Sequence, residues 1–189
     1  MRSIIYLHGF HSSPFSAKAL SFNRYLTEHY PDIQVLMPQL AAVPNAAIKQ
    51  VTELYHQHQH DLLGVVGSSL GGYLATYLHN QFTVPAVVIN PAVKPFDLFA
   101  EYLGPQVHPI TQEAYELLDI HIEQLRAIYQ PSLKDPTQVW CLQQKGDEVL
   151  DYRLAEAHYC KAKLTLEPGG DHSFVGFERY LAKIVDFLL

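Results

Sequence analysis

Cysteine and tryptophan are scarce in this chain of 189 residues, and no basic run or long apolar run breaks its composition. The two cysteines, Cys141 and Cys160, have neither metal-ligand spacing nor the density of a disulfide scaffold, so both are expected as buried thiols in a reducing compartment. The 13 Lys and Arg are dispersed against 19 Asp and Glu, giving a net charge of -6, which argues against a nucleic-acid partner. The apolar part of Met1-Arg2-Ser3-Ile4-Ile5-Tyr6-Leu7-His8-Gly9 is too short for a signal segment or a membrane span. It reads as a first strand, and no membrane insertion is expected. With 48% hydrophobic and 17% charged residues, disorder is excluded, and the length suits one globular domain over 1–189.

Short β-branched runs recur at Ile4–Leu7, Ile33–Met37, Leu62–Val66, Ala86–Ile89, Val139–Leu142 and Leu164–Leu166, mostly separated by stretches of helical spacing. That alternation predicts a parallel sheet of about six strands, and continuous apolar runs predict helices on both of its faces. Helices are expected from Ser13-Pro14 to His29, from Asn45 to His60, from Ser69 to Asn80 and from Phe177 to Leu189. More than forty residues separate the fourth and fifth runs, too many for an ordinary connection. An insertion at about 93–136 is therefore expected, read as a small helical cap with Leu117, Leu118, Ile120, Ile122, Leu125 and Ile128 on one helix. Phe96, Phe99, Tyr102 and Tyr115 add aromatic surface that either packs the insertion or roofs a site.

The run Leu62–Val66 leads into Gly67-Ser68-Ser69-Leu70-Gly71-Gly72 and then a helix, which is G-x-S-x-G in the strand–turn–helix context of a nucleophile elbow. Such a turn lifts one serine above the sheet edge and demands small residues two before and two after it. Gly67 and Gly71 satisfy this around Ser69, whereas centring the turn on Ser68 would place Val66 and Leu70 at the crowded positions. The turn also leaves the Leu70 N–H at a helix N-terminus, where it can meet a developing oxyanion. The expected fold class is accordingly the α/β-hydrolase fold.

A serine hydroxyl needs a histidine to take its proton and a carboxylate to orient that histidine, in the chain order Ser, acid, His. Asp147, just past the Val139 strand, is preferred over Glu148 and Asp151 because Gly146 supplies a turn. His172 follows the Leu164 strand on a Gly-Gly loop, and Asp171 is expected to cap or contact backbone instead of orienting it. After the first strand, His8-Gly9-Phe10-His11 brings backbone near a ligand, which makes the Phe10 N–H the second oxyanion donor. His8 itself has no acid in the expected order and is read as structural. His56 and His60 have the i, i+4 spacing of a metal pair, but no third ligand accompanies them, so neither a metal nor another cofactor is expected.

Together these segments resemble the YqiA-like bacterial esterases, a branch of the α/β-hydrolase superfamily. The resemblance spans nearly the whole chain and is carried by Tyr6–Phe10, Val66–Tyr73, Val88–Val93, Gly146–Arg153 and Gly169–Phe174. It implies Ser69, Asp147 and His172 as a triad, and a cytoplasmic enzyme acting on small acyl esters or acyl-CoA thioesters. Lys94, Lys134 and Lys145 are expected near the mouth, where they would meet an anionic CoA leaving group. A noncatalytic binding module on the same scaffold is the alternative of a different class, since fold does not fix function.

Overall fold

The computed structural model describes residues 1–189. In chain order it contains β1 (Arg2–Leu7), α1 (Ala17–His29), β2 (Ile33–Leu36), α2 (Pro44–His58), β3 (Leu62–Ser68), α3 (Leu70–Phe82) and β4 (Ala86–Ile89). There follow α4 (Pro95–Phe99), β5 (Gly104–Val107), β6 (Ala114–Leu117), α5 (Asp119–Ala127), β7 (Val139–Gln144), α6 (Tyr152–His158), β8 (Lys163–Glu167) and α7 (Leu181–Leu188). Six strands form one sheet in the order β2-β1-β3-β4-β7-β8, with every pairing parallel. The chain first winds outward through β2, then returns to β3 and winds the other way. The carboxyl ends of β1 and β3 therefore flank a switch point, where open α/β sheets place ligands.

Alternation along the strands divides the core in two. Val87 and Ile89 of β4 join Ile4, Tyr6, Val66, Trp140 and Leu142 under α1 and α7. Ala86 and Val88 point the other way, joining Ile5, Leu7, Val65 and Cys141 under α2, α3 and α6. Because the inner strands β1, β3, β4 and β7 place apolar side chains on both faces, helices must cover both sides of the sheet. α7 supplies Leu181, Ile184, Val185 and Leu188 at the i, i+3, i+4, i+7 spacing of one buried stripe. No helix is long and apolar enough to cross a membrane.

Several boundaries differ from the sequence reading. α1 begins at Ala17, not at Ser13-Pro14, because the Ser13 hydroxyl accepts the Phe15 N–H (3.2 Å) in a local turn that delays the helix. The final segment opens with a 3-10 turn, Phe177–Tyr180, before α7. Cys160 is exposed in the turn after α6, while Cys141 is buried on β7, where burial pushes its thiol pKa up.

The segment between β4 and β7 is not purely helical. It carries α4, the antiparallel hairpin β5–β6 and α5, so Leu117 lies on a strand and Leu118 is exposed just ahead of α5. Four-residue strands are too short for their period to stand out against a neighbouring helical stripe. Phe96, Phe99, Leu117, Ile122 and Leu125 form a third cluster with Tyr73 and Ala92. Phe10 and Leu70 pack against it.

Ile184 is fully buried between α7 and the sheet. Replacing it by alanine is expected to lower unfolding stability by about 2–4 kcal/mol, read from the urea midpoint at unchanged slope.

Candidate active site

Ser69 follows β3 directly and adopts φ 56° and ψ -121°, a conformation that a serine holds only when its surroundings compel it. The Ser69 N–H donates to Ile89 O (3.1 Å), and its carbonyl accepts from Gly72 (2.9 Å) and Ala92 (3.1 Å). A Cβ on Gly67 would run into the Gly71 carbonyl, and one on Gly71 into the Leu7 carbonyl. β1, β3 and α3 thus meet backbone to backbone, and the turn centres on Ser69, not on the buried Ser68.

The loop after β1 presses on the same serine: a Cβ on Gly9 would lie 3.1 Å from Ser69 Cβ. The N–H groups of Phe10 and of Leu70, the first residue of α3, donate to no acceptor in the protein. His8 is buried and fixes this loop. Its Nε2 accepts the Leu40 N–H (3.0 Å), which leaves Nδ1 to donate to Gly9 O (2.8 Å), and burial lowers its pKa.

His172 Nε2 lies 3.2 Å from Ser69 Oγ, and its Nδ1 lies 2.9 Å from both oxygens of Asp147. The Asp147 side chain is wholly inaccessible, and its Oδ1 also accepts the Val149 (2.9 Å) and Leu150 (2.8 Å) N–H groups. The rival acids have other partners. Glu148 accepts the His172 N–H (2.9 Å), and Asp151 caps α6 through the Arg153 N–H and pairs with the Arg153 guanidinium at 2.7 Å. Asp171 accepts the Ser173 hydroxyl at 2.5 Å, a side-chain partner where backbone was expected.

Two buried amides hold the His172 loop, and their role did not emerge from residue types alone. Asn90, immediately after β4 and at φ 41°, donates to the carbonyls of Asp171 (2.9 Å) and His172 (3.2 Å) and accepts the Gln144 N–H (2.9 Å). Gln144, the last residue of β7, accepts the Asp171 (3.2 Å) and Val175 (2.9 Å) N–H groups through Oε1. Its Nε2 donates to Glu167 (2.7 Å) and to Val175 O (2.8 Å). The available signal was an amide following directly on each of the apolar runs Ala86–Ile89 and Val139–Leu142, Asn90 after the first and Gln143-Gln144 after the second.

The segment between β4 and β7 reaches the site where Tyr115 meets His11. Phe10 stacks on His11 with ring centroids 3.8 Å apart, and His11 Nε2 lies 2.6 Å from the Tyr115 hydroxyl on β6. Burial pushes the Tyr115 pKa up to about 12 and lowers that of His11, which favours a neutral phenol and a neutral imidazole sharing one hydrogen bond.

Two clefts meet at Ser69 and share Phe10. One, of about 310 Å³, includes Ser12, Ser16, Lys18, Glu148, His172 and Ser173, with Phe10 its one hydrophobic residue. The other, of about 240 Å³, is lined mainly by apolar side chains, among them Leu70, Leu98, Phe99 and Leu150. Of the three lysines expected at the mouth, Lys94 lines a neighbouring groove and Lys145 lies over the Tyr152 ring. Lys134 is bonded to Asn80, ten residues along α3 from Leu70 and so about 15 Å away along the helix. The lysine at the site is Lys18, on the second residue of α1, where burial lowers its pKa against the opposing pull of Asp171 and Asp147. His56 and His60 do not share a helical face, because α2 ends at His58.

A parallel six-stranded sheet with helices on both faces and a strained serine between β3 and α3 defines the α/β-hydrolase fold. The chain belongs to the uncharacterised protein family UPF0227, whose model matches residues 3–189. Among solved structures it is similar to Est1E of Butyrivibrio proteoclasticus with ferulic acid bound, at TM-score 0.73 and 13% identity, covering 100% of this chain and 88% of that one. It is also similar to mouse alpha/beta hydrolase domain-containing protein 10, at TM-score 0.70 and 17% identity, covering 98% and 88%. A third is the esterase domain of a Rhodothermus marinus protein, at TM-score 0.68 and 14% identity, covering 97% and 84%.

Gln144→Leu would strand the Asp171 and Val175 N–H groups beneath the His172 loop. A loss of about 2–4 kcal/mol in stability is expected, with faster hydrogen exchange confined to residues 169–175 as the mark of a local origin.

Proposed function

We propose that this protein is a serine hydrolase of small carboxylic esters, with Ser69 as nucleophile, His172 as general base and acid, and Asp147 as the carboxylate that orients His172. The observation that carries this reading is the continuous chain from Asp147 through His172 Nδ1 and Nε2 to Ser69 Oγ, at 2.9 and 3.2 Å. With Nδ1–H held by Asp147, Nε2 faces the hydroxyl as a free base.

As Ser69 Oγ attacks the acyl carbon, its proton passes to His172 Nε2 and the carbonyl π pair moves onto oxygen. The Phe10 and Leu70 N–H groups, which have no acceptor in the protein, stabilise that oxyanion. Collapse reforms the carbonyl and breaks the bond to the leaving oxygen, which takes the proton from Nε2 and departs as an alcohol. Water then gives a proton to Nε2 and attacks the acyl-enzyme. The second collapse returns that proton to Ser69 Oγ and releases the acid. No step calls on a metal or a cofactor. The same sequence would release a thiol from a thioester, and the esterase domain among the structural neighbours is in line with acyl transfer.

Ser69→Ala is expected to abolish both hydrolysis of 4-nitrophenyl butyrate and labelling by a fluorophosphonate. Asp147→Asn should lower kcat by about 10⁴-fold while Ser69 stays in place. A wild-type protein that neither turns over esters nor takes the label would instead favour the noncatalytic scaffold.

Tyr115→Phe removes the partner of His11 and so loosens the Phe10 loop. A fall of about tenfold in kcat with little change in KM is expected, because the oxyanion contact strengthens in the transition state. Equal rates for the two proteins would show that the loop holds without Tyr115.

A further inference from the structure

The two clefts at Ser69 differ in chemistry, and the hydrolytic mechanism gives them different occupants. A departing alcohol receives its proton from His172 Nε2, so it must leave through the cleft that His172 lines. That cleft is the polar one, and His172 is not among the residues of the apolar one. The acyl group, which stays on Ser69, is left to the apolar side beside Leu98 and Phe99.

The polar side offers donors and acceptors together. Lys18 Nζ uses one N–H on Ser173 O (2.7 Å), and an ammonium has three. Ser16 stands at the N-cap of α1 yet makes no capping bond with its side chain, so its hydroxyl is not engaged by the helix it precedes. Glu148 engages the His172 N–H through Oε2, and Oε1 is a further acceptor on the cleft wall. An anionic leaving group would meet Lys18 but also Glu148, and a cationic one the reverse. A neutral chain of adjacent hydroxyls, each of which donates and accepts, matches both.

Resting on the hydrolase reading above, we propose that the substrates are esters of a neutral polyol, such as glycerol or a sugar, with the acyl chain beside Phe99 and the polyol hydroxyls between Lys18, Ser16 and Glu148.

The test compares glyceryl 1-butyrate with n-propyl butyrate, which carries the same acyl group and differs only by two hydroxyls. Each kcat/KM is divided by the rate of hydrolysis by hydroxide, so that intrinsic reactivity drops out. The wild type is expected to favour the glyceryl ester by about tenfold or more, and Lys18→Met to reduce that ratio by about tenfold. The wild-type comparison stands by itself even if the variant folds poorly. No preference in the wild type, an equal loss on both esters in Lys18→Met, or a preference for 1-butyrylglycerol 3-phosphate over glyceryl butyrate would overturn the polyol assignment while leaving Ser69-dependent hydrolysis intact. Absence of turnover on every ester, or turnover that survives Ser69→Ala, would overturn the hydrolase reading and this assignment with it.

Discussion

The contact on which this structure depends is the approach of three backbones at one point: the end of β1 at Leu7, the end of β3 at Gly67 and the first turn of α3 at Gly71. Any side chain at either glycine would force them apart. Their closeness sets the sharp turn, the turn forces Ser69 to a positive φ, and that conformation lifts Oγ above the sheet edge toward His172. The unfavourable backbone state is local, of order 1–3 kcal/mol, and is held by bonds from β4 and α3 to the Ser69 peptide groups. The same closeness brings the loop after β1 against the serine, so Ser69 and both unpaired N–H groups are fixed by one piece of packing.

The histidine is secured by a different means. Its loop bears two glycines at positive φ and has no regular structure of its own, so its position comes from side-chain amides at the ends of strands. Asn90 and Gln144 are buried at 0% and 2% exposure and bind each other as well as the loop, which makes them a polar brace inside an apolar sheet edge. Buried amides whose donors and acceptors are all paired rigidify what they hold, and an unpaired one would weaken the fold. Oγ and Nε2 thus stand at hydrogen-bond distance without any covalent staple.

What the sequence disclosed follows from what repeats or punctuates. Strands covered on both faces are continuous apolar runs, so all six could be seen, and the elbow could be seen because steric exclusion permits only glycine around Ser69. Asp147 and His172 could be placed because each follows a strand at the same edge. Less was legible where position depends on contacts distant in sequence. Nothing in the period of the insertion distinguished four-residue strands from a helical stripe, and Ser13 resembled a cap because its turn mimics one. Lys18 lay hidden as one ordinary lysine on an amphipathic helix, brought to Ser69 only by the way α1 packs beside β1.

The hydrogen bond between Tyr115 and His11 makes the β5–β6 hairpin a structural neighbour of the Phe10 N–H. The segment between β4 and β7 therefore meets the turn after β1 directly as well as shaping the cleft beside Leu98 and Phe99. Shortening or exchanging the hairpin would not simply give a wider entrance; it would also take a contact away from that turn. The shape of the opening and the footing of the backbone beneath it are thereby tied to one another.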